Sequence, residues 1–326
     1  MHCELIVPAL IPPALPAALE ARYPALELLL ARGRRLSAES RTLEQWLHAA
    51  FEQSGATLAA GALAAPEPAD GWWARADPVH LRLLRDRAVV IPGEAMEISQ
   101  AEADGLAAAL NLHFADTVQF HTLDPRRWTV RLKAEKHFLE KNPALEAAGR
   151  DVATSGGNEA LLTEIQMLLH AHPVNEAREA RGEPVVNSLW LWGGGQPPRA
   201  AAGPWRSVAA DDPSALGLAQ LAGMRRLDLP SSAEAWLGLL PEDGRHLVVL
   251  DALRAPAVLE QQAEYEEGVE SLERRWFAPL LGALRAQRIG MLTVRVPDTE
   301  PGAGFETVRG DLRRFWRRRR PIGSYA

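Results

Sequence analysis

Apolar positions fall into short β-branched runs and stretches of helical spacing, and their alternation changes character twice along the chain. Glu4-Leu5-Ile6-Val7 is a brief apolar run closed by Pro8, which reads as a buried opening strand followed by a loop. Helical spacing follows over residues 15–32, with Gly33 as its stop. Residues 40–53 predict another helix, because Leu43, Trp46, Leu47 and Phe51 share a face. Its Ser40-x-x-Leu43 start lacks a full capping box. Residues 59–70, rich in Ala, Gly and Pro, read as a connector.

A different pattern begins near Trp72. Residues 79–84 and 87–91 predict a hairpin turning at Arg85-Asp86. Residues 99–114 predict a helix, since Ser99 can cap it and Glu102 three residues on completes a capping box. Two more strands, 118–121 and 128–132, flank Asp124-Pro125. That order predicts an α+β unit with an antiparallel sheet. An amphipathic helix at 158–170 ends before His172-Pro173, as the residue before proline avoids the α region.

After Glu183 strands and helices alternate. A strand at 185–192 runs into Gly193-Gly194-Gly195, residues 213–223 and 231–240 are helical, and 246–250 is a continuous apolar strand ending in Asp251. Such uninterrupted runs characterise parallel strands covered on both faces. A long helix at 261–288 and a strand at 291–296 follow. The predicted fold class is α/β: a doubly wound sheet from residues 1–71 and 183–326, with an α+β domain inserted at 72–182.

Composition narrows the function. With 47% hydrophobic and 24% charged residues the 326-residue chain is neither disordered nor fibrous, and has room for one large or two ordinary domains. A net charge of -6 argues against a generally basic nucleic-acid binder and leaves room for a local basic patch. A single cysteine, Cys3, excludes an intramolecular disulfide and a four-thiolate metal site. Residues 5–19 are nearly all apolar, but Glu4 precedes them and Pro8, Pro12, Pro13 and Pro16 interrupt them, unlike a secretory signal. No uninterrupted run reaches the roughly 18 residues of a membrane span, so the cytoplasm is the expected compartment.

The strand that delivers Gly193, Gly194 and Gly195 can bring backbone N–H groups to an anion, or can simply turn tightly with Trp190 and Trp192 in the core. It matches neither GxGxxG nor GxxxxGK[ST]. His170 and His172 do not share a helix face, which favours a helix-end cap or loop hydrogen bond over a metal site. Asp251, at the carboxyl end of an apolar strand, stands where open α/β sheets place functional residues, or caps the following loop. Asp211-Asp212-Pro213 reads as a helix cap. Residues 313–320, Arg-Arg-Phe-Trp-Arg-Arg-Arg-Arg, read as a phosphate-gripping patch, a solvated tail or a patch for an acidic partner. There is no GxSxG and no HExxH.

The string His170-x-His172-Pro173-Val174-Asn175-x-x-Arg178, continued by Asn187-Ser188-Leu189-Trp190-Leu191-Trp192-Gly193-x-Gly195 and Pro198, resembles the archaeal-type cofactor-independent phosphoglycerate mutases. A wider likeness is to a proteobacterial group labelled phosphoglycerate-mutase-like or regulatory proteins. It is carried by Ala76-Asp77-Pro78-Val79-His80-Leu81, Leu110-Asn111-x-His113-Phe114, residues 164–170 and the ending Phe315-Trp316-Arg317-Arg318. The resemblance implies an alkaline-phosphatase-like α/β domain with an inserted domain, and a two-metal site beside a serine that carries the phosphoryl group. Two divalent ions lower the nucleophile's pKa and neutralise the transferring phosphate.

The sequence departs from most of that pattern and keeps at most one or two of its ligands, at Asp251 and Asp298. Pro8-Ala9 stands where the family has an acidic ligand and a glycine after strand one. The nearest nucleophiles, Ser37 and Ser40, are followed by Ala38 and Arg41 and not by Asp. Asp251 has no Gly-His after it, and Asp298 has no His. The expectation is a catalytically degenerate, regulatory member with no resident cofactor. It binds a small anionic ligand or a protein partner through Arg178, Trp192, Gly193, Gly194, Gly195 and Asp251. The alternative is an active mutase or phosphatase using manganese or a similar ion with Ser37 or Ser40. A nucleic-acid role for the arginine tail ranks third, and the oligomeric state is left open.

Overall fold

The computed structural model describes residues 1–11, 23–37, 39, 41–53, 58–65, 71–84, 88–115, 117–133, 140, 142–149, 159–241, 243–298 and 302–325. The expected helical turns at 15–22, the cap at Ser40, the connector at 66–70, the turn at Arg85-Asp86 and the helix start at Asn158 lie outside them.

The chain divides into two compact units, Met1–Gln53 with Ala200–Ala326, and Ser54–Arg199. The first unit opens with β1 (His2–Ile6), α1 (Pro24–Arg32), β2 (Arg34–Ser37) and α2 (Leu43–Ala50). The second holds α3 (Ala60–Leu63), β3 (Trp72–Leu83), β4 (Ala88–Pro92), α4 (Gln100–Phe114), β5 (Val118–Asp124), β6 (Arg127–Leu132), α5 (Glu159–His170), α6 (Pro173–Ala180) and β7 (Ser188–Gly195). The first resumes with β8 (Ser207–Ala209), α7 (Pro213–Leu221), β9 (Arg225–Leu227), α8 (Ala233–Leu239), β10 (Arg245–Val249) and α9 (Arg254–Val258). It closes with α10 (Gln262–Leu272), α11 (Ala278–Arg285), β11 (Met291–Val296) and β12 (Ala303–Val308).

In the first unit the described strands form one sheet in the order β2-β12-β11-β1-β10-β8-β9. The pairs from β11 to β9 are parallel, whereas β12 is antiparallel to both β11 and β2. The sheet is therefore mixed α/β. Leu5 stands opposite Val248 and Val294, and one face of these strands packs on Leu26, Leu29, Trp236, Tyr265, Phe277 and Leu284. The helix expected over 261–288 contains a π turn at Glu273–Phe277 between α10 and α11. Pro279, in the first turn of α11, lacks the N–H that Arg275 would accept and crowds its carbonyl, which the wider turn relieves. The turn also aims Glu273 at α1, whose Ala25 and Leu26 amides donate to it at 2.7 and 3.0 Å. Tyr23 at the α1 start offers no side-chain cap, so a remote carboxylate fills that role.

In the second unit β3 organises an antiparallel sheet in the order β4-β3-β6-β5, with β7 also paired to β3. The sequence reading groups the 185–192 strand with the doubly wound region; β7 instead pairs antiparallel with β3. An apolar run shows that both faces are covered but not the direction of its neighbour. Ser99 and Glu102 form the expected capping box, and α2 gains one from Thr42 and Gln45 that the reading from Ser40 missed. Among the described residues no helix is long and apolar enough to cross a membrane.

Candidate functional site

Strand β1 lies between β10 and β11, so the segments leaving all three strands emerge along one carboxyl edge. Ligands of open α/β sheets bind at such edges. Backbone bonds tie the segments together: Val7 N–H donates to Arg295 O at 2.9 Å, Leu250 N–H to Ile6 O at 2.8 Å and Ala9 N–H to Pro297 O at 3.3 Å. Ala9 adopts a left-handed φ of 56°, and the Tyr265 hydroxyl donates to the Ala9 and Leu10 carbonyls.

A charged cluster here joins Glu44, Arg254 and Asp298. Asp251 begins the turn that presents Arg254, its carbonyl accepting from the Arg254 amide at 3.0 Å. The Arg254 guanidinium donates to both Glu44 oxygens, at 2.6 and 2.8 Å, and its Nε lies 3.4 Å from Asp298 Oδ2. Asp298, itself at a φ of 64°, accepts from the Leu43 amide at the start of α2 at 3.2 Å. All three side chains are largely shielded from solvent, between 12 and 18% exposed.

Burial pushes the Glu44 carboxyl up, but the Arg254 charge and its paired hydrogen bonds outweigh that and hold it below its ordinary value. Asp298 goes the other way: burial, with Glu44 adding repulsion, outweighs Arg254 and the Leu43 amide and raises it. The best-placed carboxylates at this edge thus face one fixed cation. Among the described residues no group of three or more His, Cys, Asp and Glu can hold a metal ion. This donor set does not fit a pair of divalent ions, which need several uncommitted carboxylate and imidazole ligands.

The expected nucleophiles divide. Ser40 lies outside the described residues. Ser37 is exposed at the end of β2, opposite Ala303, which is in turn opposite Val296, so it stands on the same edge as Asp298. His246 is buried inside β10, its Nδ1 2.8 Å from Ser207 Oγ and its Nε2 3.0 Å from Asp243 O.

Arg178, Trp192 and the three glycines belong to the second unit. Arg178 is fully buried and donates to Pro184 O and Glu97 O at 2.8 Å and to Glu102 at 3.1 Å, so it ties α6 to the start of α4. Its Nη2 is buried without a hydrogen-bond partner. Trp192 donates its indole N–H to Asp77 at 2.6 Å and lies 5.4 Å under the Arg75 guanidinium, which pairs with Asp77. Gly193, Gly194 and Gly195 form the end of β7. Gly193 has a φ of 59°, and a Cβ there would stand 2.8 Å from Ala60 Cβ; at Gly195 it would meet Ala59 Cβ at 2.8 Å. The glycines let the α3 segment press onto β7. His172 caps α6, accepting from the Val174 amide at 3.2 Å, and His170 ends α5.

Sequence reasoning missed Arg254 and Glu44, and with them a second cluster within the sheet. Glu4, 1% exposed, accepts from Arg245 at 2.7 Å, Arg295 at 3.0 Å and the Trp205 indole at 2.9 Å. The available signals were a lone Glu in an otherwise apolar strand, and an Arg in the segment scanned only for a histidine.

No family model matches the chain, and no curated protein matches it. Among solved structures it is similar to a cofactor-independent phosphoglycerate mutase from Thermoplasma acidophilum. That likeness has 17% identity and a TM-score of 0.42, over 95% of this chain and 90% of that one. It is also similar to the PH0037 protein of Pyrococcus horikoshii, at 14% identity and a TM-score of 0.49, over 94% and 86%.

Proposed function

We propose that the chain is a phosphoglycerate-mutase-like protein on a doubly wound, alkaline-phosphatase-type scaffold. In this reading it has exchanged two-metal chemistry for a fixed ion-pair cluster, and acts in the cytoplasm by binding a small anionic ligand or a protein partner in a regulatory role. The observation that carries it is the Arg254 guanidinium seated on Glu44 beside Asp298. A guanidinium supplies one positive charge, but it stays protonated and cannot act as a Lewis acid on a serine hydroxyl. The turn after β1 supports the same reading. Ala9 adopts the left-handed backbone that a glycine would favour, while Pro8 stands where the family has a carboxylate.

The test is conversion of 3-phosphoglycerate to 2-phosphoglycerate by purified protein with added manganese or cobalt, beside calorimetry with 3-phosphoglycerate. The reading expects no turnover; heat on titration supports the small-anion arm and its absence the protein-partner arm. Metal-dependent turnover overturns it. One observation favours the active alternative, the exposed Ser37 on the edge shared with Asp298. Turnover abolished by Ser37→Ala would establish that reading.

A further inference from the structure

The arginine-rich end of the chain is a held strap. After β12 a 3-10 turn, Arg309–Arg313, leads into the run. Arg314 donates to Arg32 O at 3.2 Å and pairs with Asp311 at 2.8 Å, and Arg317 donates to Gly33 O at 2.8 Å. Arg32 in turn donates to Leu312 O. Beyond the run Ile322 is fully buried, and the Tyr325 ring meets Phe305 edge-on at 5.8 Å. The strap is thus fastened at both ends. Between it and α1 lies a cavity of about 840 Å³, lined among others by Glu27, Arg32, Phe315, Arg318, Arg319 and Arg320.

Two features of this strap have no use within the fold. The side chains of Arg313, Arg318, Arg319 and Arg320 are exposed and make no hydrogen bond or ion pair among the described residues. Phe315 and Trp316 are 79 and 66% exposed, their rings in edge-to-face contact at 5.3 Å. Large apolar rings left in water on an anchored segment mark a contact surface. The chain carries a net charge of -6, yet residues 309–320 hold seven Arg against one Asp. That asymmetry draws a polyanion to one place.

We infer that this strap is a binding surface for single-stranded nucleic acid, with the exposed guanidiniums on successive phosphates and Phe315 and Trp316 stacked on unpaired bases. An acidic polypeptide would satisfy the arginines but leave two adjacent ring faces without flat partners. A duplex hides its base faces. Single strands present both phosphates and π-faces, and stacking is tolerant of sequence. The surface shares no residue with the cluster around Arg254, so it does not depend on the fate of that edge.

The experiment is fluorescence anisotropy of labelled oligo-dT and oligo-U with the full-length chain over a salt series. Four free arginines predict a log–log salt slope near -3, at about -0.7 per neutralised phosphate. Trp316→Ala, a change at an exposed ring, should weaken binding by about 5- to 150-fold, the range for loss of one stacked base, and leave the slope unchanged. Arg318→Glu with Arg319→Glu should flatten the slope. No binding at low salt overturns the inference. So does competition by polyglutamate or duplex as effective as by oligo-dT together with an unaltered affinity in Trp316→Ala, which would make the strap a docking surface for an acidic protein.

Discussion

Replacing Arg254 by Met keeps much of the side-chain volume and removes the cation paired with Glu44 and Asp298. The loss comprises two charge-assisted hydrogen bonds at 2.6 and 2.8 Å. It also strands two carboxylates that are 14 and 18% exposed. Breaking a buried ion pair from one side costs about 3–5 kcal/mol. Since a little water reaches these groups, we expect about 3 kcal/mol at pH 7, read as a fall in the urea midpoint. The pH dependence follows from the carboxyls. In the native protein Glu44 is held below its ordinary value of 4.5, so its contribution is present above that pH and lost as pH falls through the folded value. Without Arg254, burial acts on Glu44 against only the backbone and Thr42 hydrogen bonds, and on Asp298 against the Leu43 amide, so both carboxyls should rise above their unfolded values. The variant then gains stability as pH falls, and the gap between the two proteins narrows toward about pH 4.5. A cost below about 1 kcal/mol, the level of an exposed pair, or a gap that does not change with pH, would refute this reasoning.

Glu4→Gln removes the shared partner of Arg245 and Arg295 and should cost about 2–3 kcal/mol, somewhat below a fully buried pair because both arginines are partly solvated; calorimetric melting measures it. His246 is held below its ordinary value of 6.5, chiefly by burial, so the unfolded chain binds the proton more readily. Stability should therefore fall as pH drops below about 6.5, and His246→Gln should flatten that part of a melting-temperature profile. Gly193→Ala must adopt a φ of 59° and press on Ala60, so it should destabilise by about 2 kcal/mol or more by urea denaturation. An unchanged midpoint would show that the glycine is not required for packing.

The strands β1, β10 and β11 could be read from the chain because each is an apolar, β-branched run between turn residues. Local chemistry likewise announced the Ser99–Glu102 capping box and the Asp212 cap. What escaped depended on partners far away in the chain. Strand β2 is Arg-Arg-Leu-Ser, with no apolar period, and exists because β12 pairs with it. The direction of β7 is set by β3, more than a hundred residues earlier. Arg254 and Glu44 are 210 residues apart, and no local pattern joins them. The same holds for the edge that carries the account. Asp251 was legible as the end of a parallel strand, but its role in presenting Arg254 appears only once β10 and β11 flank β1.

The most direct test of the central claim is the manganese content of purified protein after equilibrium dialysis, counted by elemental mass spectrometry. The account predicts no stoichiometric ion, because the arginine already answers the carboxylates that a cation would need. A pair of ions bound per chain, released when those carboxylates are neutralised, would contradict it.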